Sequence, residues 1–250
     1  MKTFKYVLVL LYCIGILSGC RTAYPGTPQT ENDTSATFAT QTDSSLYTEV
    51  LNEYKAIVSR RLQSDFQQRW NNGEHIGIPD TVAAASSESS LKEHWSNMII
   101  EMTSGLTSIR EESFDYVLCD INDDTVPELF WVREDHTLLA IFTYAQDQVV
   151  LLDAFWPRYK GVITQEGLLY TRSSGGAVYT NYVIRSLTSE GQWEEYASFG
   201  TDGYNEGENE LCYYETVENI RTIVDRHRFD TLLEQWPFEH GDRWLNTLVP

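Results

Sequence analysis

Hydrophobic positions in this chain follow two different periods, and the change falls near residue 114. From Leu46 onward they recur at helical steps: Leu46, Val50, Tyr54, Ile57, Leu62, Phe66 and Trp70 make one stripe, with Lys55, Arg60, Arg61 and Gln67 off it. Ser44 or Ser45 can cap its start, and Asn71-Asn72-Gly73 stops it. A polar loop with Pro79 follows. A second amphipathic helix begins near Ser90, with Leu91, Trp95, Met98, Ile99, Met102 and Leu106 on its apolar side. From Phe114 the pattern breaks into short strand-like runs: Phe114–Cys119, Leu129–Arg133, Leu138–Tyr144, Val149–Phe155, Gly161–Thr164, Leu168–Arg172, Val178–Leu187 and Gln192–Phe199. Turn residues such as Asn122-Asp123-Asp124, Gln146-Asp147 and Ser189-Glu190-Gly191 separate them. The acidic, Gly-rich stretch 200–210 reads as an exposed loop, and Leu211–Tyr214 as a last strand. Thr216 is then expected to cap a helix through Ile220, Ile223 and Val224, and Asp230 a further turn holding Leu232, Leu233 and Trp236. The expected fold is α+β. N-terminal helices over residues 45–110 precede an antiparallel β-meander with short C-terminal helices over 111–250, all in one globular domain.

Ahead of the helices, Lys2 and Lys5 precede an apolar run from Tyr6 to Leu17, too short to span a bilayer and followed by small residues. Residues 1–19 are therefore expected to be a signal peptide. The ending Leu17-Ser18-Gly19-Cys20 resembles the lipobox of bacterial lipoproteins. That resemblance implies cleavage before Cys20, a diacylglycerol on its sulfur carrying fatty acids such as palmitate, and acylation or a free amine at the new N-terminus. It also implies a lipid-anchored, extracytoplasmic location with the membrane as a partner. Residues 20–44, rich in Thr, Ser, Pro, Asn and Gln, read as the lipidated Cys and a flexible tether with a reach of about 25–30 Å.

Charge narrows the partners. The chain of 250 residues carries a formal net charge of −19, and loss of Lys2 and Lys5 with the signal takes it to −21. Nucleic acid and anionic lipid surfaces are repelled, while divalent cations and cationic groups are not. Beyond the leader only Cys119 and Cys212 remain. An exported protein can pair them, and they serve equally as small core residues.

One segment combines several oxygen ligands: Asp120-Ile-Asn122-Asp-Asp124-Thr-Val-Pro127-Glu128-Leu129. Asp120, Asn122, Asp124 and Glu128 stand at relative positions 1, 3, 5 and 9, a spacing that can point oxygens at one hard cation such as Ca²⁺. The same residues can instead bond their own backbone as Asx-turns, with no metal. The segment resembles the calcium loops of integrin-like propeller repeats. More narrowly, it resembles an Asp-Ile-Asp-Gly-Asp-Gly-Ile-Pro-Glu-Leu motif in a family of bacterial lipoproteins that share the lipobox, tether, helices and strands. This resemblance implies Ca²⁺ on Asp120, Asn122, Asp124 and Glu128. Where that pattern has glycines, this chain has Asp123 and Thr125.

Catalytic motifs are missing. There is no G-x-S-x-G elbow, no H-E-x-x-H pair and no phosphate-binding glycine loop, and the five histidines are scattered. The expected function is a non-catalytic surface module that binds a glycan or a protein, or that serves as a calcium-stabilised structural unit. The competing expectation is a hydrolase acting on polysaccharide or peptidoglycan through two convergent carboxylates. Trp156, Tyr159, Tyr179, Tyr182 and Trp193 discriminate: exposed together they make a binding face, buried they are core.

Overall fold

The computed structural model describes residues 44–58, 66–85, 89–104, 114–133, 137–156, 158–164, 166–205 and 210–236, all within one compact unit spanning 36–250. The signal peptide, Cys20 and all but the last residue of the tether lie outside the described residues. A 3-10 turn (Ser45–Tyr47) leads into α1 (Thr48–Val58), followed by α2 (Phe66–Asn71), β1 (Ala83–Ala84) and α3 (Ser89–Ser104). Then come β2 (Phe114–Cys119), β3 (Glu128–Arg133), β4 (Leu138–Ala145), β5 (Gln148–Ala154), β6 (Tyr159–Ile163), β7 (Leu169–Gly176), β8 (Tyr179–Leu187), β9 (Trp193–Tyr204), β10 (Leu211–Val217), β11 (Ile220–Val224) and α4 (Arg226–Gln235).

This overturns the expected α+β class. Among the described residues the protein is mostly β, with eleven strands and only short helices. The strands form two sheets, ordered β1-β5-β4-β3-β2 and β11-β10-β9-β8-β7-β6. All neighbours pair antiparallel except β1 with β5.

Two local departures explain the extra strand. The segment 216–224 carries its apolar residues at helical spacing, yet it is rich in Val, Ile and Thr, which fit a pleated surface better than a helix. Glu218 and Asn219 both take positive φ, 51° and 64°, so a two-residue turn folds β11 back with Val217 opposite Ile220. The stretch 200–204 is strand because it is paired on both sides: Thr201 lies opposite Thr180 of β8 and Tyr213 of β10. Helix α4 starts before the expected Asp230, with the Asp225 carboxylate accepting from Arg228 N at 2.8 Å.

The layers follow from side-chain alternation. On one face of the first sheet, Leu118, Leu129, Trp131, Phe142 and Leu151 pack with Tyr47, Val50 and Leu51 and with Trp95, Met98 and Ile99 of α3. The opposite face, through Val117, Phe130, Val132, Ile141 and Leu152, packs with Ile163, Leu169 and Leu187 of the second sheet. The second sheet's far side, including Val162, Tyr170, Ile184 and Phe199, is covered by Phe229 and Leu232 of α4. A sheet buried on both faces has no polar face to alternate with, which is why β3 is buried at five consecutive positions. Leu46 of the expected helical stripe is exposed, and Tyr47 takes its place in the core.

Candidate functional site

The segment Asp120–Glu128 is the connection between β2 and β3, and its side chains bond its own backbone. Asp120 Oδ2 accepts from Thr125 N at 2.8 Å, and its Oδ1 accepts from Asn122 N and Asp124 N, both at 3.3 Å. Asp124 Oδ1 accepts from Val126 N at 2.7 Å. Asn122 Nδ2 donates to Asp124 Oδ2 at 2.9 Å and to Thr188 O, in the β8–β9 turn, at 3.1 Å. Asp123 and Thr125 stand at φ 59° and 74°. A β-branched residue resists this left-handed conformation, so the loop is held there by its hydrogen bonds.

Glu128 points inward and is fully buried. Its Oε2 accepts from Ile121 N at 3.1 Å and its Oε1 from the Thr143 hydroxyl at 2.9 Å. Burial pushes this carboxyl up to about 8, with the nearby Asp124 and Asp120 adding to the rise and its two hydrogen bonds opposing it. Tyr47 closes the same region, donating to Pro127 O at 2.6 Å. The donor chemistry, all oxygen, suits a hard cation. Among the described residues, however, no three His, Cys, Asp or Glu side chains stand in a metal-holding arrangement. The oxygens accept instead from backbone amides, the Asn122 side-chain amide and the Thr143 hydroxyl.

The loop also joins the two sheets. Asn122 reaches the β8–β9 turn, and Gly167 of the β6–β7 turn approaches so closely that a Cβ there would lie 2.2 Å from Ile121 O. Gly191 packs against Ala145 and Thr143 of β4 in the same way, with a virtual Cβ 2.7 Å from Ala145 Cβ.

A separate cleft opens beside this junction, with a volume of about 420 Å³. Asp153 of β5, Tyr159 of β6, Arg185 of β8 and Trp193 of β9 line it, together with Leu152 of β5 and Leu91 of α3. Asp153 lies in the apolar run Val149–Phe155 and is 6% exposed. Its Oδ1 accepts from Ala154 N at 2.9 Å. Its Oδ2 accepts from the Tyr159 hydroxyl at 2.8 Å and from Arg185 Nη1 at 3.2 Å. Arg185 Nη1 also donates to the Tyr159 oxygen at 3.3 Å. Burial raises the Asp153 carboxyl to about 6, against the opposing pull of Arg185 and Tyr159. Burial works against the Arg185 charge, but Tyr159 and Asp153 outweigh it and hold the guanidinium ionised. The Trp193 indole N–H is anchored to Leu152 O at 3.3 Å.

The five discriminating aromatics divide. Tyr159 and Trp193 line the cleft, and Trp156, 36% exposed, stands beside it with its ring 4.8 Å from that of Tyr159 and stacked on His94. Tyr182 is core, stacked on Phe199 at 4.9 Å. Tyr179 lies apart, in a smaller hollow of about 200 Å³ that Arg221 shares. That guanidinium sits 3.8 Å over the Tyr214 ring and pairs with Asp202.

Cys119 and Cys212 are both free thiols. Burial pushes the Cys119 thiol up to about 12, with Glu128 and Asp120 adding, so it is an inert core residue. Asp153 and Arg185 escaped the sequence reading. The available signal was a lone acid inside Val-Val-Leu-Leu-Asp-Ala-Phe and a lone base inside Tyr-Val-Ile-Arg-Ser-Leu. No helix among the described residues is long and apolar enough to cross a membrane. In comparison with known proteins, no family model, no curated protein and no solved structure matches this chain.

Proposed function

We propose that this chain is a lipid-anchored, extracytoplasmic bacterial protein whose folded part is a non-catalytic binding module, with the cleft between its two sheets as the ligand site. The anchor rests on Leu17-Ser18-Gly19-Cys20 and on the polar segment that follows. The single observation that carries the binding site is the buried Asp153–Tyr159–Arg185 network opening into a cleft walled by Trp193. A few fixed polar groups among apolar and aromatic walls, in a volume within the usual range of roughly 300–1,000 Å³, are the features of a small-molecule site. A concave site of this kind favours a small ligand over the face of a protein.

Binding is favoured over hydrolysis by how the cleft uses its acid. A general acid needs a proton aimed at substrate. Both oxygens of Asp153 are turned onto Ala154, Tyr159 and Arg185, so this carboxylate holds the site together.

A second reading places Ca²⁺ at Asp120, Asn122, Asp124 and Glu128. It is favoured by the positive φ of Asp123 and Thr125, the two positions at which the resembling loops carry glycine. When bound, the ion would neutralise Asp120, Asp124 and Glu128 and offset the cost of burying the last of them. The chain's own residues already hold the loop's shape, so the ion would act as a stabiliser and not as the builder of the turn.

The cleft is tested with the full chain in detergent, labelled with 5-fluorotryptophan, and a mixed library of small polar compounds. The Trp193 fluorine signal is assigned from Trp193→Phe. Hits that shift this signal and are lost in Arg185→Lys are expected. A library whose hits all leave Trp193 unmoved would overturn the assignment.

A further inference from the structure

We infer that the ligand of this cleft is an uncharged sugar ring, an inference that rests on the cleft being the binding site. Arg185 is the cation lining the cleft, but it is flanked by Asp153 at 3.2 Å and by the Glu195 position, its cross-strand partner on β9. Glu195 is close enough to add to the field that keeps the guanidinium ionised. An anionic ligand aimed at Arg185 therefore meets two carboxylates, and a cationic ligand meets Arg185 while both oxygens of Asp153, the acid lining the cleft, are already engaged by Ala154 N, Tyr159 and Arg185. A neutral ligand meets neither penalty.

Hydrogen-bond inventory then selects the chemistry. A guanidinium has five N–H donors in a planar fork. Among the described residues, Arg185 bonds only through Nη1, to Asp153 and Tyr159. Nε and Nη2 donate to no described residue, and the side chain, 25% exposed, lines the cleft. Asp153 holds the fork in place, so little side-chain freedom is lost on binding. Gln192 adds an amide that both donates and accepts. A fixed pair of adjacent donors with a mixed donor–acceptor group beside it matches vicinal hydroxyls, which accept and donate from one small ring.

The remaining walls fit the other face of such a ring. Trp193, Leu152 and Leu91 present apolar surface, and the Trp193 indole N–H is already committed to Leu152 O. The part of the indole that lines the cleft is thus its carbon surface, which packs against the C–H face of a saccharide. Trp156, 36% exposed, packs against the cleft residue Tyr159 and adds aromatic surface beside the cleft.

The experiment uses the same fluorinated full chain in detergent, with four probes: methyl glucoside and N-acetylglucosamine as neutral sugars, glucuronate as an anionic one and glycinamide as a cation. The neutral sugars are expected to shift the Trp193 signal with a Kd on the order of 1 mM. Glucuronate should bind at least about fivefold more weakly. Arg185→Lys keeps the charge beside Asp153 but loses the planar fork, and should weaken the neutral sugars about fivefold or more. Tighter binding of glucuronate or glycinamide than of either neutral sugar, with Trp193 responding, overturns the sugar inference and leaves the cleft as a site for a charged ligand. Silence of Trp193 toward all four probes overturns the sugar inference. Silence toward the mixed library as well overturns the cleft itself.

Discussion

A carboxylate inside a protein is costly unless something compensates its charge, and Glu128 shows how this chain manages one. Fully buried, it has two hydrogen bonds, from Ile121 N and Thr143, and titrates near 8 instead of its ordinary 4.5. The folded state therefore holds a proton that the unfolded chain has already released between about pH 4.5 and 8. Stability must fall as pH rises through that window. Glu128→Gln removes the titration and keeps the shape. In EDTA, denaturant unfolding at pH 5 and at pH 8.5 should show wild type losing about 2–4 kcal/mol more than the variant across the interval. Identical pH slopes would refute the assignment. The proposed calcium site includes the same residue: if the ion binds there, millimolar Ca²⁺ in place of EDTA is expected to raise the wild-type melting temperature and to leave Asp120→Ala/Asp124→Ala unmoved. A wild type indifferent to Ca²⁺ would remove the ion from the loop. The residues that build the turn were legible in advance, since Asp120, Asn122 and Asp124 stand at alternate positions with Glu128 four residues further on. What spacing does not encode is that Glu128 turns into the core, where it accepts from Ile121 N and Thr143.

At the scale of elements, the β2–β3 connection and the turns of the second sheet lock together. Gly167 at φ +77° has no room for a side chain, because Ile121 O occupies the place a Cβ would take. Gly167→Ala combines that collision with backbone strain and is expected to cost about 2–4 kcal/mol by chemical denaturation. Gly73 is the control: its φ is +79°, but nothing lies within 4 Å of its virtual Cβ. Gly73→Ala should cost only about 1 kcal/mol of strain. Equal losses for the two would mean that the junction does not transmit packing between the sheets. Strand positions from Phe114 to Phe199 were readable because alternation and turn residues are local signals. The β10–β11 hairpin was not, because Ile220, Ile223 and Val224 satisfy a helical period as well as a strand. The choice was made by Tyr213 and Tyr214, which offer β11 a partner in register.

At the scale of the whole molecule, the proposal joins a folded module to a lipid anchor through a polar segment. Substituting Cys20→Ala in the full chain should move the protein from the membrane pellet to the soluble fraction, with the melting temperature of the folded part unchanged. A single acyl-type anchor binds a bilayer reversibly, and two or more chains hold it firmly. Membrane retention of the Cys20→Ala chain would refute the anchor. By itself the sequence determined most strand positions and the turn residues of the Asp120 loop. Each of these depends on the residue and a few neighbours along the chain. The tertiary structure decided the rest: the division into two sheets, the burial of both faces of the first, and the meeting of Asp153, Tyr159, Arg185 and Trp193 in one cleft. Those four residues come from four strands, β5, β6, β8 and β9. Their approach is set by how the sheets stack and twist over a shared apolar layer, a long-range packing outcome that no local pattern of residues carries.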